Sequence, residues 1–460
     1  MFELLRQGLE LAVQSCDQAE LYAERSDVLS IDLERDEVKK MKHVRGTGIG
    51  VRVVIGQKIG FAYTTAVDLE KLAACVSQAL KQARVSERDR NFTRLPGSSS
   101  GRVQRGYPEP EQTYDRRILE LLEHADGSEK AIAYCRELLA GMAEQAVKPG
   151  VSCAPTEGSF AAGRDETFIV NSEGLETYDT GTYVSAGLSV VASDASGEEI
   201  SGYEGKATRM LQDLDVRWIG REAVRLAAEG LGGAKFQTKV LPVVLSPKAV
   251  QSLFAYTLIP QLSAESVQRK QSPYVGKKGE LIAAESLTIV DDGTMPLGVN
   301  SRRMDGEGVP SQHTTIVDRG VLQNFFYDSY TAQKDRVEST GNAVRSFDSL
   351  PVPGATNFII SADHKSSTST EALIHEIRDG LFITDLIGAH TASRASGDFS
   401  VVAQNAFGIH QGELFPVKHA MIAGNSQEII RRIALVGDDT RQIYTVVSPS
   451  LLIAALQVIA

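Results

Sequence analysis

Cysteine is scarce in this 460-residue sequence: Cys16, Cys75, Cys135 and Cys153 all lie in the first third, and no two form a C-x-x-C pair. That pattern argues against a zinc knuckle or a disulfide framework, so the four read as reduced core residues. An excess of positive charge is also missing. With Lys plus Arg at 48, Asp plus Glu at 59 and a formal charge of −11, neither nucleic acid nor an anionic membrane is an expected partner. No apolar stretch approaches the roughly 20 residues that a spanning helix needs. The most apolar run, the closing SLLIAALQVIA, reads as a buried strand or core segment. The opening MFELLRQGLELAVQSCDQAE carries acids early and no basic segment before an apolar core. It does not read as a secretory leader, and a cytoplasmic location is expected.

What is present is ordinary globular composition, 42% hydrophobic and 23% charged, in a length suited to two or three domains. Leu5, Leu9, Ala12 and Cys16 predict an opening amphipathic helix. Three strand-like runs follow, AELYAER, SIDLERDEVKKM and GIGVRVVIGQKIGFAYTT, with a hairpin turn expected at Gly56 and Gln57. Leu69, Leu72, Val76, Leu80 and Ala83 then share one face of a helix spanning Asp68 to Ala83. After a loop-like stretch from Ser86 to Gln112 and a helix from Glu129 to Ala146, the order of strands and a closing helix (Asp215 to Glu229) returns. We read this as a degenerate duplication of a meander-then-helix unit. The predicted fold class is therefore α+β: antiparallel meanders with helices over residues 1–235, then a β-rich, mixed-sheet or barrel-like domain over 236–460. The Gly-rich GLGGAKFQTK marks the boundary.

Common site motifs fail on inspection. Gly46, Gly48 and Gly50 form G-x-G-x-G, but the string enters a strand rather than opening a helix, so a phosphate cradle is not expected. Gly97 to Gly101 matches G-x-S-x-G inside a Ser-rich loop, where a solvated linker is the better reading. His375-Glu376 begins a zincin-like pattern, yet Asp379 and Gly380 follow where a second His belongs. The other histidines show no pair at ligand spacing, although His410 and His419 flank a turn at Gly412. Paired acids at Asp291-Asp292, Asp305 with Glu307, and Asp438-Asp439 adjoin glycines in strand-turn contexts, which favours turn roles.

Several separated strings occur in one order: AESLTIVDDGTMPLGVNSRRMDGEGVPSQHTTIVDRGVLQNFFYD, TGNAVRS, PVPGATN and IRRIALVGDD, preceded by GTGIGVRVVIGQKIGFAYTT. Together they resemble the TldD/PmbA family across nearly the whole chain. The resemblance implies a soluble, cytoplasmic, dimeric two-domain protein from a family with two kinds of subunit. One kind is a metallopeptidase with H-E-x-x-x-H on the helix after the strand that opens the second domain, and a late cysteine as a further zinc ligand. Here the matching positions are Ala255, Tyr256 and Pro260, with Ser448 near the place of the cysteine. None of them supplies the missing chemistry, and the chain has no His between His124 and His313. The resemblance therefore implies the metal-free TldE (PmbA) type: no cofactor in this chain, zinc in a TldD-type partner, and assembly as that heterodimer or as a homodimer acting on unfolded or leader peptides. Asp291, Asp292, Gly293, Arg302, Asp305, Glu307 and Pro310, in the densest motifs, are the candidates for a peptide-binding sheet edge or for structural turns and salt bridges. Two alternatives stand beside this reading. One is a peptidase using Asp291, Asp292, Asp305 and Glu307 around a cation, and the other is a homodimer that binds a peptide or small ligand without turnover.

Overall fold

Strict alternation of buried and exposed side chains along Leu29, Ile31 and Leu33 places one face of a long strand against helices. In the computed structural model, which describes residues 1–98, 103 and 106–459, that strand is β1 (Gln18–Glu34). It is followed by β2 (Glu37–Ile55), β3 (Lys58–Thr64), β4 (Ser152–Asn171), β5 (Glu176–Ser193) and β6 (Glu199–Thr208). They form one antiparallel sheet in the order β3-β2-β1-β4-β5-β6. Helices α1 (Phe2–Val13) and α2 (Leu69–Val85) pack on one half of it, and α3 (Arg116–Glu123), α4 (Gly127–Glu144) and α5 (Val216–Glu229) on the other. The three N-caps Asp68, Asp115 and Asp215 each accept a backbone N–H of the first turn of α2, α3 and α5.

The expected duplication is visible in the topology, because the meanders β1-β2-β3 and β4-β5-β6 meet at the central β1/β4 pair and each ends in a helix. It extends to a single contact. A Cβ at Gly60 of β3 would stand 2.0 Å from the Ala79 carbonyl oxygen and 2.5 Å from the Ala83 nitrogen on α2. A Cβ at Gly202 of β6 would stand 2.4 Å from the Ala223 oxygen and 2.5 Å from the Ala227 nitrogen on α5. Backbone cannot retreat as a side chain can, so Gly60→Val and Gly202→Val are each expected to destabilise the chain by about 1–3 kcal/mol. Urea midpoints would read this; unchanged midpoints would show that helix and strand part at no cost.

Two local expectations change. The runs AELYAER and SIDLE are one strand, with the turn falling at Arg35 (φ 57°) and Asp36. Ser26-Asp27 continues the ladder because Asp27 accepts from His43 and Arg45 on β2 at 2.6 and 3.1 Å. Helix α3 was not anticipated. The four cysteines are free thiols, and burial pushes those of Cys75 and Cys135 up to about 11. Gly46, Gly48 and Gly50 lie within β2, where the ring and carbonyl of Phe347 take the space that side chains at 48 and 50 would need. Of the G-x-S-x-G string, Ser99, Ser100 and Gly101 lie outside the described residues. The outer edge of β2 from Glu37 to Gly48 has no strand beside it among the described residues, since β3 covers only Ile49–Ile55.

Beyond residue 238 the principal strands are β7 (Lys239–Leu245), β8 (Leu287–Asp292), β9 (His313–Asp318), β10 (Phe358–Ala362), β11 (Asp379–Ile387), β12 (Asp398–His410), β13 (Met421–Asn425), β14 (Arg441–Ile443), β15 (Val446–Ser448) and β16 (Leu451–Ile459). Five of them close a barrel, β11-β7-β16-β13-β12 and back to β11. Val243, Leu245, Leu381, Ile383, Ile422 and Ile453 of these strands are buried in one core that also takes in the helix Pro247–Phe254 and a second sheet. The run SLLIAALQVIA thus supplies a barrel strand. The second sheet is mixed and runs β9-β8-β10-β15-β14, with β10 and β15 parallel. Helix α6 (Pro247–Phe254) leaves the end of β7 with Pro247 in its first turn, and Ser246 caps Ala249 N while donating to the Thr384 carbonyl. The helix α7 (Ser329–Asp335) is capped by Asp328 and Thr331 in a reciprocal box. His375 closes a six-residue helix, and His410 pairs with Asp379 at 2.8 Å rather than with His419. Among the described residues no helix is long and apolar enough to cross a membrane.

Candidate functional site

The candidate acids lie where the two sheets meet. Glu20 on β1 faces Arg52 on β2, and both are buried, at 0% and 3% exposure. Arg52 Nη2 donates to Glu20 Oε2 and to Glu307 Oε1, each at 3.0 Å. Arg345 Nη1 donates to the other Glu20 oxygen at 2.6 Å, and its guanidinium stacks on Tyr22 at 4.4 Å. Glu307 also receives Ser329 N, at the start of α7. Burial alone would raise the carboxyl of Glu20, but Arg52 and Arg345 outweigh it and hold it below the ordinary range. Every charge of this knot is paired across the two halves of the chain.

The other motif residues are occupied in the same way. Asp305 takes Glu307 N and Val309 N on one oxygen and Ala343 N on the other. Asp291 takes Thr356 N and Thr356 Oγ1, both at 2.8 Å, and Asn342 Nδ2 at 2.7 Å. Asp292 binds Thr294 and lies 3.1 Å from His313 Nδ1. Arg302 donates to the Ala343 carbonyl, Gly293 packs against Ser311, and Pro310 is buried. The carboxylates therefore serve separate partners, and β8 is flanked by β9 and β10, so it presents no open edge. Among the described residues no three His, Cys, Asp or Glu side chains gather as a metal cluster.

The positions aligned with the zinc motif border a different feature. Ala255 ends α6, Tyr256 is 37% exposed with its ring edge towards His390, and Pro260 sits in the short helix Leu258–Gln261. Ser448 on β15, against which α6 packs, is fully buried with its hydroxyl on the Pro449 carbonyl. One turn earlier, Lys248, Gln251 and Ser252 of α6 form a wall of a cavity of about 580 Å³ whose opposite wall is β5–β6, with Tyr183, Ser185 and Tyr203. Cavities of about 370 and 610 Å³ continue it along the seam and share Arg209 with it. The outer edge of β6 borders this cleft. Side chains cap three of its outward groups: Lys248 Nζ binds the Tyr203 carbonyl at 2.6 Å, Asn405 Nδ2 the Ser201 carbonyl at 3.1 Å, and Glu204 accepts from Gly205 N. Sequence inspection missed these residues because a helix and two strands from different halves contribute them, with no motif spacing between them.

Three family models match consecutive parts of the chain: PmbA/TldA metallopeptidase domain 1 at residues 19–83, the central domain at 121–231 and the C-terminal domain at 238–460. The chain belongs to the PmbA/TldD family. An uncharacterized relative from Methanocaldococcus jannaschii is 32% identical over 433 residues, 94% of each chain. Metalloprotease PmbA of Escherichia coli O157:H7 is 27% identical over 441 residues, 95% of this chain and 91% of that one. The crystal structure of TldE from Thermococcus kodakarensis superposes with a TM-score of 0.88 at 25% identity, covering 99% and 100% of the two chains. A zinc ion of the kind implied for the family's peptidase subunits does not fit the residues here. A methyl group, a proline ring and a buried hydroxyl engaged with a carbonyl offer no ligand set.

Proposed function

We propose that this family member is the metal-free, TldE-type subunit of a TldD/TldE-type metalloprotease complex that acts on unfolded or leader peptides in the cytoplasm, and that it is itself non-catalytic. The observation that carries this reading is the donor chemistry around α6. Ala255, Tyr256, Pro260 and Ser448 stand where ligands and base would be needed, beside a cleft that stays open. In this reading residues 1–235 and 236–460 act as two domains, and an extended peptide lies in the cleft between them. It adds to the β6 edge and exchanges the side-chain caps for main-chain bonds, which gives grip with little sequence preference. The zinc belongs to the partner subunit.

The test is elemental analysis and casein cleavage on the chain alone and after mixing with a TldD-type partner. Zinc and chelator-sensitive cleavage are expected in the mixture only. Stoichiometric metal with cleavage by the lone chain would overturn the reading and favour an independent peptidase. Cleavage by neither sample would favour a homodimer that binds without turnover.

A further inference from the structure

The arginines along the seam, Arg52 buried and Arg209 half-buried among them, fall into two kinds. Arg52 and Arg345 each sit on carboxylates. Arg209, which follows β6, has no ion pair among the described residues. Its Nε donates to the Gly298 carbonyl at 3.3 Å, Nη1 to Thr182 O at 3.2 Å and Nη2 to Ser301 O at 3.0 Å. These three bonds anchor the guanidinium by neutral groups from both halves and, among the described residues, leave two of its five N–H donors uncommitted. Arg209 is also the side chain common to all three cavities of the cleft. Asp165 and Asp179 line the same cavities, and Asp179 accepts from Thr180 N and Arg303 N; neither comes within ion-pair distance of Arg209.

A fixed, half-buried guanidinium with free donors at a cavity wall fits a carboxylate or a phosphate, and of these a peptide offers the carboxylate, which it binds with charge-assisted bonds. Leaving such a cation unpaired is costly, and an incoming anion relieves that cost. Burial weighs against its charged form, with Asp165 and Asp179 offsetting this only from a distance. We infer that Arg209 is the attachment point for a carboxylate of the peptide in the cleft, either the C-terminal group or an acidic side chain. This rests on the cleft being the peptide site.

The test is calorimetric titration of the full chain with four probes: N-acetyl-tetra-alanine as free acid and as amide, and N-acetyl-Ala-Ala-Glu-Ala amide beside its Gln counterpart. A charge-assisted bond predicts about 10- to 100-fold tighter binding of the carboxylate member of a pair. Preference for the free acid assigns the terminus, and preference for Glu over Gln assigns the side chain. Arg209→Gln should bring the carboxylate probe down to its neutral partner, and Arg209→Lys should keep part of the preference. Equal binding within both pairs by the unaltered chain overturns the inference while leaving the cleft as a peptide site. Absence of binding by all four removes that reading and the inference with it. A preference that survives Arg209→Gln in a folded variant moves the carboxylate to another residue and overturns the assignment.

Discussion

Arg52→Met is expected to lower the unfolding free energy by about 3–5 kcal/mol, because it removes the cation that, among the described residues, alone touches both Glu20 and Glu307, and leaves Glu307 with no described counter-ion in a dry seam. Typical domains hold only about 5–15 kcal/mol in total, so the variant should express poorly and melt early. The effect comes from the orphaned Glu307 rather than from the lost arginine, since Glu20 keeps Arg345. Adding Glu307→Gln to Arg52→Met should therefore recover part of the loss. Urea unfolding of the single and double variants measures both numbers. A loss below about 1 kcal/mol for Arg52→Met would mean that water reaches the knot and screens it.

The second large effect is on pH dependence. Burial pushes Asp291 up to about 6, and burial with the neighbouring Glu307 pushes Asp305 up to about 7 and Asp328 up to about 6, against an ordinary value of about 3.9. A carboxyl whose folded value is raised contributes stability that is fully present below the unfolded value and is lost as pH rises through the folded one. These three groups therefore favour the fold most below about pH 4 and give up that contribution between about pH 4 and 7. Asp328→Asn isolates one of them, since Asn caps a helix as well as Asp does. The variant should match the parent below about pH 4, draw ahead as pH rises through about 5 and 6, and exceed it by about 1–3 kcal/mol at pH 8, where Asp328 is ionised beside Glu307. A variant weaker than the parent at pH 8 would show instead that the first turn of α7 welcomes the charge.

Much of the fold was legible in apolar spacing. The periods of α1 and α2, the repeated meander and the short alternating runs of the second half all report burial on one face, which local sequence encodes directly. Ser26-Asp27 looked like an interruption because its compensation, His43 and Arg45, lies on the neighbouring strand. The DGEG motif was readable as a turn, and Asp305 does close one on Glu307 and Val309. Its second task was not readable, since Arg52 stands 255 residues away from Glu307. The degenerate positions Ala255, Tyr256 and Pro260 acquired meaning only through family resemblance. The cleft residues Lys248, Tyr203 and Arg209 carried no signal at all, because only the meeting of two sheets makes them neighbours.

The bare margin of β2 has a further consequence. A strand with free amides and carbonyls invites a second molecule to zip onto it, and repetition of that step builds fibrils. Along VKKMKHVR this chain sets four cations on that margin; Lys39 and Arg45 pair with Glu34 and Asp27 on β1, and Lys40 and Lys42 remain to set like charges together when two copies approach edge to edge. The segment works as a gatekeeper of solubility in an otherwise acidic protein. Because the guard is ionic and the Debye length shrinks to about 3 Å at 1 M salt, it holds in dilute buffer and fails in brine.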